Sequence, residues 1–264
     1  SITQDFASTV TVPAAPTRTG YAFVQWTSAA NGSGTAYAPG ATFAMPANNS
    51  TLYAQWSNSV PTLAVIGDVV LNEDGGATVL LDIGDAESLS AALSVAATSG
   101  QITLLPHPIV NSVANPAQRE LVLTPVANGN GGPVAVNVLV TDEGGLTRER
   151  SFQVTIRAVN DAPTFATSGD RIEPAGASGL RTVPGFIQSL SVGPADEAAQ
   201  FILGYSALQV SDPNGVVSAI SVAVDGTLSY TLSGNGGSAS FEIRATDNGG
   251  NAYGGQPKIG RAHV

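Results

Sequence analysis

The sequence contains no cysteine, so neither a disulfide framework nor a thiolate metal site is open to it, and redox chemistry says nothing about its compartment. Imidazole is almost missing too, with His107 and His263 the only two. Charge is scarce at 11% of residues, and 10 Lys and Arg set against 20 Asp and Glu leave a net charge of -10. The few basic residues form no cluster able to follow a phosphate backbone, which argues against nucleic acid as a partner. No apolar run reaches the roughly 18 residues of a membrane-spanning helix, and no charged-then-apolar leader opens the sequence. The sequence starts at Ser1 rather than Met, and it is expected to be a piece of a longer chain.

Hydrophobic residues make up 43% of the sequence, which argues against disorder, since disordered chains are charge-rich and poor in large apolar side chains. At 264 residues two or three compact units are expected. Thr, Val, Ser, Ala, Gly and Asn fill the remainder, a mixture that favours short strands joined by tight turns.

Half of the aromatic residues fall before Ser57: Phe6, Tyr21, Phe23, Trp26, Tyr37, Phe43, Tyr53 and Trp56. Alternation in Tyr21-Ala22-Phe23-Val24-Gln25-Trp26 and again in Thr51-Leu52-Tyr53-Ala54-Gln55-Trp56 predicts two half-buried strands, with Asn31-Gly32-Ser33-Gly34 turning the chain between them. Trp26 and Trp56 are expected to share one small aromatic core rather than to form a ligand platform, because buried aromatics dominate the cores of small domains.

The segments Thr17-Arg18-Thr19-Gly20-Tyr21, Asn31-Gly32-Ser33-Gly34-Thr35 and Thr51-Leu52-Tyr53-Ala54-Gln55-Trp56 resemble the internalin-type B repeat, also called the Listeria-Bacteroides repeat. The resemblance covers residues 1–57. It implies a small β-grasp-like module from bacterial surface proteins, usually found in tandem. The family's opening strand is missing before Ser1, so the module is expected to be N-terminally incomplete.

From Pro61 onward the pattern changes to aliphatic strands with acidic loops. Val134, Val136, Val138 and Val140 alternate to one face, and Phe152, Val154 and Ile156 do the same beyond the Asp142-Glu143-Gly144-Gly145 turn, which predicts a hairpin. Further strands are expected at 77–83, 91–97, 101–105 and 120–124. Seven or so strands over about 100 residues suit an immunoglobulin-like sandwich.

The pattern then recurs, which is the signature of tandem architecture. Thr141-Asp142-Glu143-Gly144-Gly145 returns as Thr246-Asp247-Asn248-Gly249-Gly250, and Phe241, Ile243 and Ala245 alternate inward before it. Between the copies Val159-Asn160-Asp161-Ala162-Pro163 reads as a short, stiff linker, since Pro163 cannot donate to a ladder and biases Ala162 toward an extended conformation. With Asn72-Glu73-Asp74 and Gly84-Asp85-Ala86-Glu87, these segments resemble bacterial cadherin-like and Ig-like tandem repeats over residues 61–255. The expected fold is therefore all-β: a small β-grasp-like module at 1–57, then two Ig-like/cadherin-like sandwiches at 61–160 and 163–258. The second sandwich lacks its last strand after Gly255. The last six residues, Ile259 to Val264, can be encoded by ATC-GGA-AGA-GCA-CAC-GTC, a common sequencing-adaptor string, and are expected to be unpaired read-through in place of that strand.

Catalytic chemistry has little to work with. His107 lies between two prolines without a nucleophile motif beside it, so a Ser-His-Asp site is not expected. Asp85 with Glu87, or Asp196 with Glu197, could form a glycosidase-like carboxylate pair, but acids that recur in each repeat fit a structural purpose better. The chain is read as a non-enzyme: a stalk of a bacterial cell-surface or secreted protein that contacts an unknown surface protein or glycan. Two other readings are accessory modules of a large secreted polysaccharide-active enzyme, and carbohydrate binding by coplanar exposed rings of the first module.

In an Ig-like sandwich the first turn and the outgoing linker lie at one end, and the loop after the second strand and the last hairpin at the other. The first copy's far end therefore meets the second copy's near end. That gathers Asn72, Glu73, Asp74, Asn160 and Asp161 opposite Asp196, Glu197 and Asp247, oxygen ligands suited to calcium, and the cadherin resemblance implies the same site. The linker lacks the leading acid of animal cadherins, and Asn128 and Asn130 stand where another carboxylate is expected, so binding should be weak, around 10⁻⁴ to 10⁻³ M. The same acids would alternatively serve as solvated turn caps.

Overall fold

The computed structural model describes residues 5–256 and 262–263. Among these residues the chain is all-β, and helix is confined to three short 3-10 turns, Ser90–Ala92, Ala195–Glu197 and Ala252–Gly254. The scarcity of helix follows from the composition: β-branched residues alternate with polar ones, and Gly, Asn and Pro interrupt every run before helical periodicity can develop.

The aromatic module holds two small sheets. β1 (Thr9–Thr11) pairs with β4 (Thr42–Ala44), and β2 (Ala22–Thr27) lies between β3 (Ala36–Tyr37) and β5 (Tyr53–Ser57). Antiparallel register sets Phe23 opposite Trp56 and Trp26 opposite Ala54. The Phe23 ring then stands 5.7 Å from Trp26 and 5.8 Å from Trp56, at interplanar angles of 59° and 81°. These are tilted and edge-on contacts of a packed aromatic cluster rather than coplanar rings awaiting a sugar. The indole N–H of Trp26 donates to the Pro13 carbonyl at 3.1 Å.

The next strands are β6 (Thr62–Leu63), β7 (Val69–Asn72), β8 (Ala77–Gly84), β9 (Ser94–Ser99), β10 (Ile109–Ser112), β11 (Gln118–Leu123), β12 (Gly131–Thr141) and β13 (Thr147–Arg157). They form two four-stranded sheets, ordered β10-β11-β8-β6 and β7-β13-β12-β9. The expected alternation is realised: Val134, Val136, Val138, Val140, Phe152, Val154 and Ile156 are each 2% exposed or less. Each such side chain contributes roughly 1.5–3 kcal/mol relative to its exposed state. One expected strand is absent. Residues 101–105 make a single turn in which the Leu104 and Leu105 amides both reach the Gln101 carbonyl, at 3.1 and 2.9 Å. Both leucines are buried by that turn, a consecutive pair that no alternating strand could bury on one face.

The remaining strands are β14 (Thr164–Thr167), β15 (Ser178–Val183), β16 (Ile187–Ser191), β17 (Ile202–Ser211), β18 (Val217–Val222), β19 (Leu228–Ser233), β20 (Ser240–Asp247) and β21 (Ala262–His263). Their sheets are β14-β16, β15-β19-β18 and β17-β20-β21. Phe186, Leu228, Ile243 and Ala245 are fully buried at their centre. The terminal hexapeptide was expected to be unpaired, yet Ala262 and His263 sit opposite Ile243 and Glu242. Ladder hydrogen bonds are made by backbone, so a strand edge accepts a short segment whatever its side chains. Residues 259–261 and 264 lie outside the described residues.

The chain separates into two compact units. One comprises Ser1–Val69, Gly76–Thr124 and Pro133–Val154; the other comprises Val70–Gly75, Pro125–Gly132 and Thr155–Val264. All the acids and amides expected around Asn160 belong to the second unit.

Candidate functional site

The linker of the second unit is held by side chains rather than by a ladder. Glu73, at the turn after β7, is 1% exposed; its two oxygens accept the Val159 amide at 2.6 Å and the Asn130 side-chain amide at 2.9 Å. The same Asn130 nitrogen donates to Asp196 Oδ2 at 3.0 Å and so bridges two carboxylates. Asp74 accepts the Asn128 amide at 3.1 Å. Beyond the linker, Glu197 Oε1 accepts the Asp161 amide at 2.8 Å and Gln200 Nε2 at 2.9 Å. Asn160 donates from Nδ2 to Asp247 Oδ1 at 3.1 Å, and the Gly249 amide reaches that same oxygen at 2.9 Å.

Among the described residues four oxygens here are buried without a hydrogen-bond partner: Asn160 Oδ1, Glu197 Oε2, Gln200 Oε1 and Asp247 Oδ2. Asn160, Glu197 and Asp247 are themselves more than nine-tenths buried. Beside them lies a cavity of about 190 Å³ lined by Asn130, Asn160, Asp196, Glu197, Gln200 and Tyr253, among others.

Electrostatics follow from crowding acids in a desolvated place. Burial pushes the Glu73 carboxyl above the usual range, against the pull of its bonds to Val159 and Asn130, and Asp196 adds to the rise. Burial likewise raises Asp161, with the charges of Asp74 and Asp196 reinforcing it. Glu197 is raised by burial, then by Asp161 and Asp196, while the Asp161 amide and Gln200 oppose the shift. A cation among these groups would reverse each of these penalties. Among the described residues, however, no three His, Asp or Glu side chains are placed as a ready metal cage.

The structure thus brings Glu73, Asp74, Asn160, Asp161, Asp196, Glu197 and Asp247 into one neighbourhood by hydrogen bonds and electrostatic contact. Asn72 joins through Tyr253, a residue of the cavity wall, and not through the acids: its Nδ2 donates to the Tyr253 carbonyl at 3.0 Å, while the Tyr253 ring lies 4.5 Å from the Arg157 guanidinium. Sequence reasoning missed Gln200 as part of the site. Its spacing of three from Glu197, across the Ala195–Glu197 turn, was the available signal.

The residues weighed for catalysis have structural employment. His107 Nδ1 accepts the Ser99 amide at 3.0 Å. Asp85 Oδ1 accepts the amides of Glu87 and Ser88 at 2.9 and 2.6 Å, which makes it a turn cap.

Residues 2–55 match the family model described as the Listeria-Bacteroides repeat domain. No curated protein matches the chain. Among solved structures, the SGBP-B protein of the mixed-linkage glucan utilization locus of Bacteroides ovatus, in complex with a mixed-linkage heptasaccharide, aligns at 13% identity and a TM-score of 0.29, covering 76% of this chain and 47% of that one. Protocadherin Gamma B2 extracellular cadherin domains 1-5 align at 15% identity and a TM-score of 0.38, covering 93% and 51%. The N-terminal Ig1-2 module of the Drosophila receptor protein tyrosine phosphatase DLAR aligns at 13% identity and a TM-score of 0.29, covering 78% and 96%. The chain spans about half the length of the first two.

Proposed function

We propose that the chain is a non-catalytic stalk segment of a bacterial cell-surface or secreted multi-repeat protein, in which calcium bound beside Asn160 stiffens the linker. The observation that carries this reading is the set of buried, unpartnered oxygens on Asn160, Glu197 and Asp247. Leaving a buried polar atom unsatisfied costs about 1–3 kcal/mol, so three within one neighbourhood call for a missing partner. Because the available ligands are all oxygens and most are anionic, a hard cation is the partner that suits them.

Glu73, Asp161, Asp196, Glu197 and Asp247 would hold the ion, together with the Asn160 amide oxygen. Calcium supplies charge neutralisation and a bridge across the linker. Amides at Asn128 and Asn130 reduce the charge of the site, which places the affinity near 10⁻⁴ to 10⁻³ M, the range of extracellular modules. At millimolar calcium such a site adds about 1 kcal/mol by mass action. A stiffened tandem projects a binding surface that engages a protein or glycan ligand. Differential scanning calorimetry of the full chain with and without millimolar calcium tests the idea. Calcium should raise the melting temperature, and Asp161→Ala and Glu197→Gln should each remove the rise. Identical melting with and without calcium, or an undiminished rise in both variants, overturns it.

A further inference from the structure

The linker entering the first sandwich is gripped in the same way as the linker entering the second. Asn58 Nδ2 donates to Asp142 Oδ2 at 3.2 Å, and the Ser59 amide donates to Glu87 Oε2 at 3.0 Å. The corresponding pairs in the second unit are Asn160 with Asp247 at 3.1 Å and the Asp161 amide with Glu197 at 2.8 Å. Both aspartates also close the turn behind them: Asp142 Oδ1 accepts the Leu146 amide at 2.8 Å, and Asp247 Oδ1 accepts the Gly249 amide at 2.9 Å. Both asparagines bury an Oδ1 that has no partner among the described residues.

A glycine two residues after each aspartate makes the grip sterically feasible. A Cβ on Gly144 would lie 2.2 Å from Asn58 Nδ2, and one on Gly249 would lie 1.6 Å from Asn160 Oδ1. No side chain fits at either place, so the Asp-x-Gly of the last hairpin and the Glu of an earlier loop act as one receptor for an asparagine followed by a free amide. The modules delivering these linkers are unlike: an aromatic module ends at Ser57, whereas an aliphatic sandwich ends at Arg157. The receptor therefore accepts a linker from either kind of module, and in the first case its Gly144 also takes a hydrogen bond from the Tyr21 hydroxyl of the preceding module at 3.4 Å.

The residue after the asparagine differs. Ser59 adds a second bond from its hydroxyl to Glu87 Oε1 at 3.1 Å, so both oxygens of Glu87 are occupied. In the second unit that position is Asp161, and Glu197 Oε2 is left without a partner.

We infer that each sandwich carries a socket for an Asn-X linker of whatever module precedes it, and that X sets the cation requirement. A hydroxyl residue, Ser59, occupies both oxygens of Glu87 and so lowers the first junction's need for a cation, though Asn58 Oδ1 and Asp85 Oδ2 stay buried there without a partner among the described residues, while a carboxylate, Asp161, leaves Glu197 Oε2 open and makes the second depend on a cation. The cation half of this inference rests on the calcium reading above, and the socket half does not.

The test uses the full chain, with calcium or a chelator, and two readouts. Tryptophan fluorescence reports the first module, because Trp26 and Trp56 are the only tryptophans, and calorimetry reports the remainder. Asn58→Ala should lower the tryptophan-detected midpoint by roughly 4 °C, equally in calcium and chelator. Asn58→Asp, which keeps the size but sets an anion against Asp142, should lower it at least as far. Ser59→Asp should create a calcium response in the tryptophan signal that the wild type lacks, and Asp161→Ser should abolish the response of the second unit without lowering its chelator midpoint. Unchanged tryptophan melting in both Asn58 variants overturns the socket. Ser59→Asp without a calcium response overturns the rule for X. Destabilisation by Asn58→Ala and Asn160→Ala in a wild type indifferent to calcium would sustain the socket and sink the cation half.

Discussion

The two Thr-Asp-x-Gly-Gly copies, at 141–145 and 246–250, share one linker grip, yet the strands around them bury unequal cores. In the first, two eleven-residue strands, β12 and β13, lie side by side and send Val134, Val136, Val138, Val140, Phe152, Val154 and Ile156 inward. In the second, β20 has eight residues and its partner on the side away from β17, among the described residues, is the two-residue β21. Large apolar side chains stand exposed in both, Leu89 at 79% in the first and Ile172 at 96% in the second, so the difference lies in the buried strands and not in the exposed ones. Turn and linker motifs are local and survive in each copy, whereas a core needs a full-length neighbouring strand to close it. The second sandwich should therefore be the first to unfold.

The largest effects should come from the two cores. Calorimetry is expected to show two transitions, with the tryptophan signal following the upper one. Phe152→Ala should cost about 3–5 kcal/mol and pull the upper transition down, while Phe186→Ala should cost as much and remove the lower one. If Phe152→Ala shifted only the lower transition, the ranking of the two sandwiches would be reversed.

A smaller effect, confined to the second sandwich, lies in alkali. Burial, and then the hydrogen bond from Tyr230 Oη to Glu173 Oε1, push the Tyr230 phenol up to about 12. The unfolded chain releases that proton at the ordinary value of 10.0, so the folded state loses stability as pH rises from 10.0 through about 12. Glu173 titrates in the opposite sense. The Tyr230 bond, and then Arg181, hold its carboxyl below the usual range, so its contribution is present above that range and is lost as pH falls through the lowered value. Denaturant midpoints across both pH windows should flatten in Tyr230→Phe. A slope that persists in that variant would show that other groups govern it.

The smallest effect belongs to the aromatic module. Arg18 lies 3.8 Å from the Tyr21 ring centroid and 6.0 Å from that of Trp56. Arg18→Ala should cost about 0.5–1 kcal/mol, visible in the tryptophan melt and silent in the lower calorimetric transition.

Much of this was legible because it is written in local pattern. Alternation located β12, β13 and β20, and the recurrence of Asp-x-Gly-Gly marked the tandem repeat before any pairing was known. Leu104 and Leu105 misled because an apolar run says that residues are buried but not by which backbone shape, and the hydrogen bonds to Gln101 chose a turn. The acids around Asn160 could be gathered from topology alone. Which oxygens remain without partners could not, since that depends on how Asn130 and Gln200 distribute their donors. The grip on Asn58 stayed hidden for a similar reason: Ser59 and Glu87 are 28 residues apart, and only folding reveals that one caps the other.

The most direct measurement is isothermal titration of calcium into the metal-free full chain, beside Glu197→Gln and Glu87→Gln, which change the matching carboxylate at the second and first junctions. The account predicts wild-type binding between about 10⁻⁴ and 10⁻³ M, lost in Glu197→Gln and retained in Glu87→Gln. Absence of binding in the wild type, or binding that survives Glu197→Gln and disappears in Glu87→Gln, would contradict it.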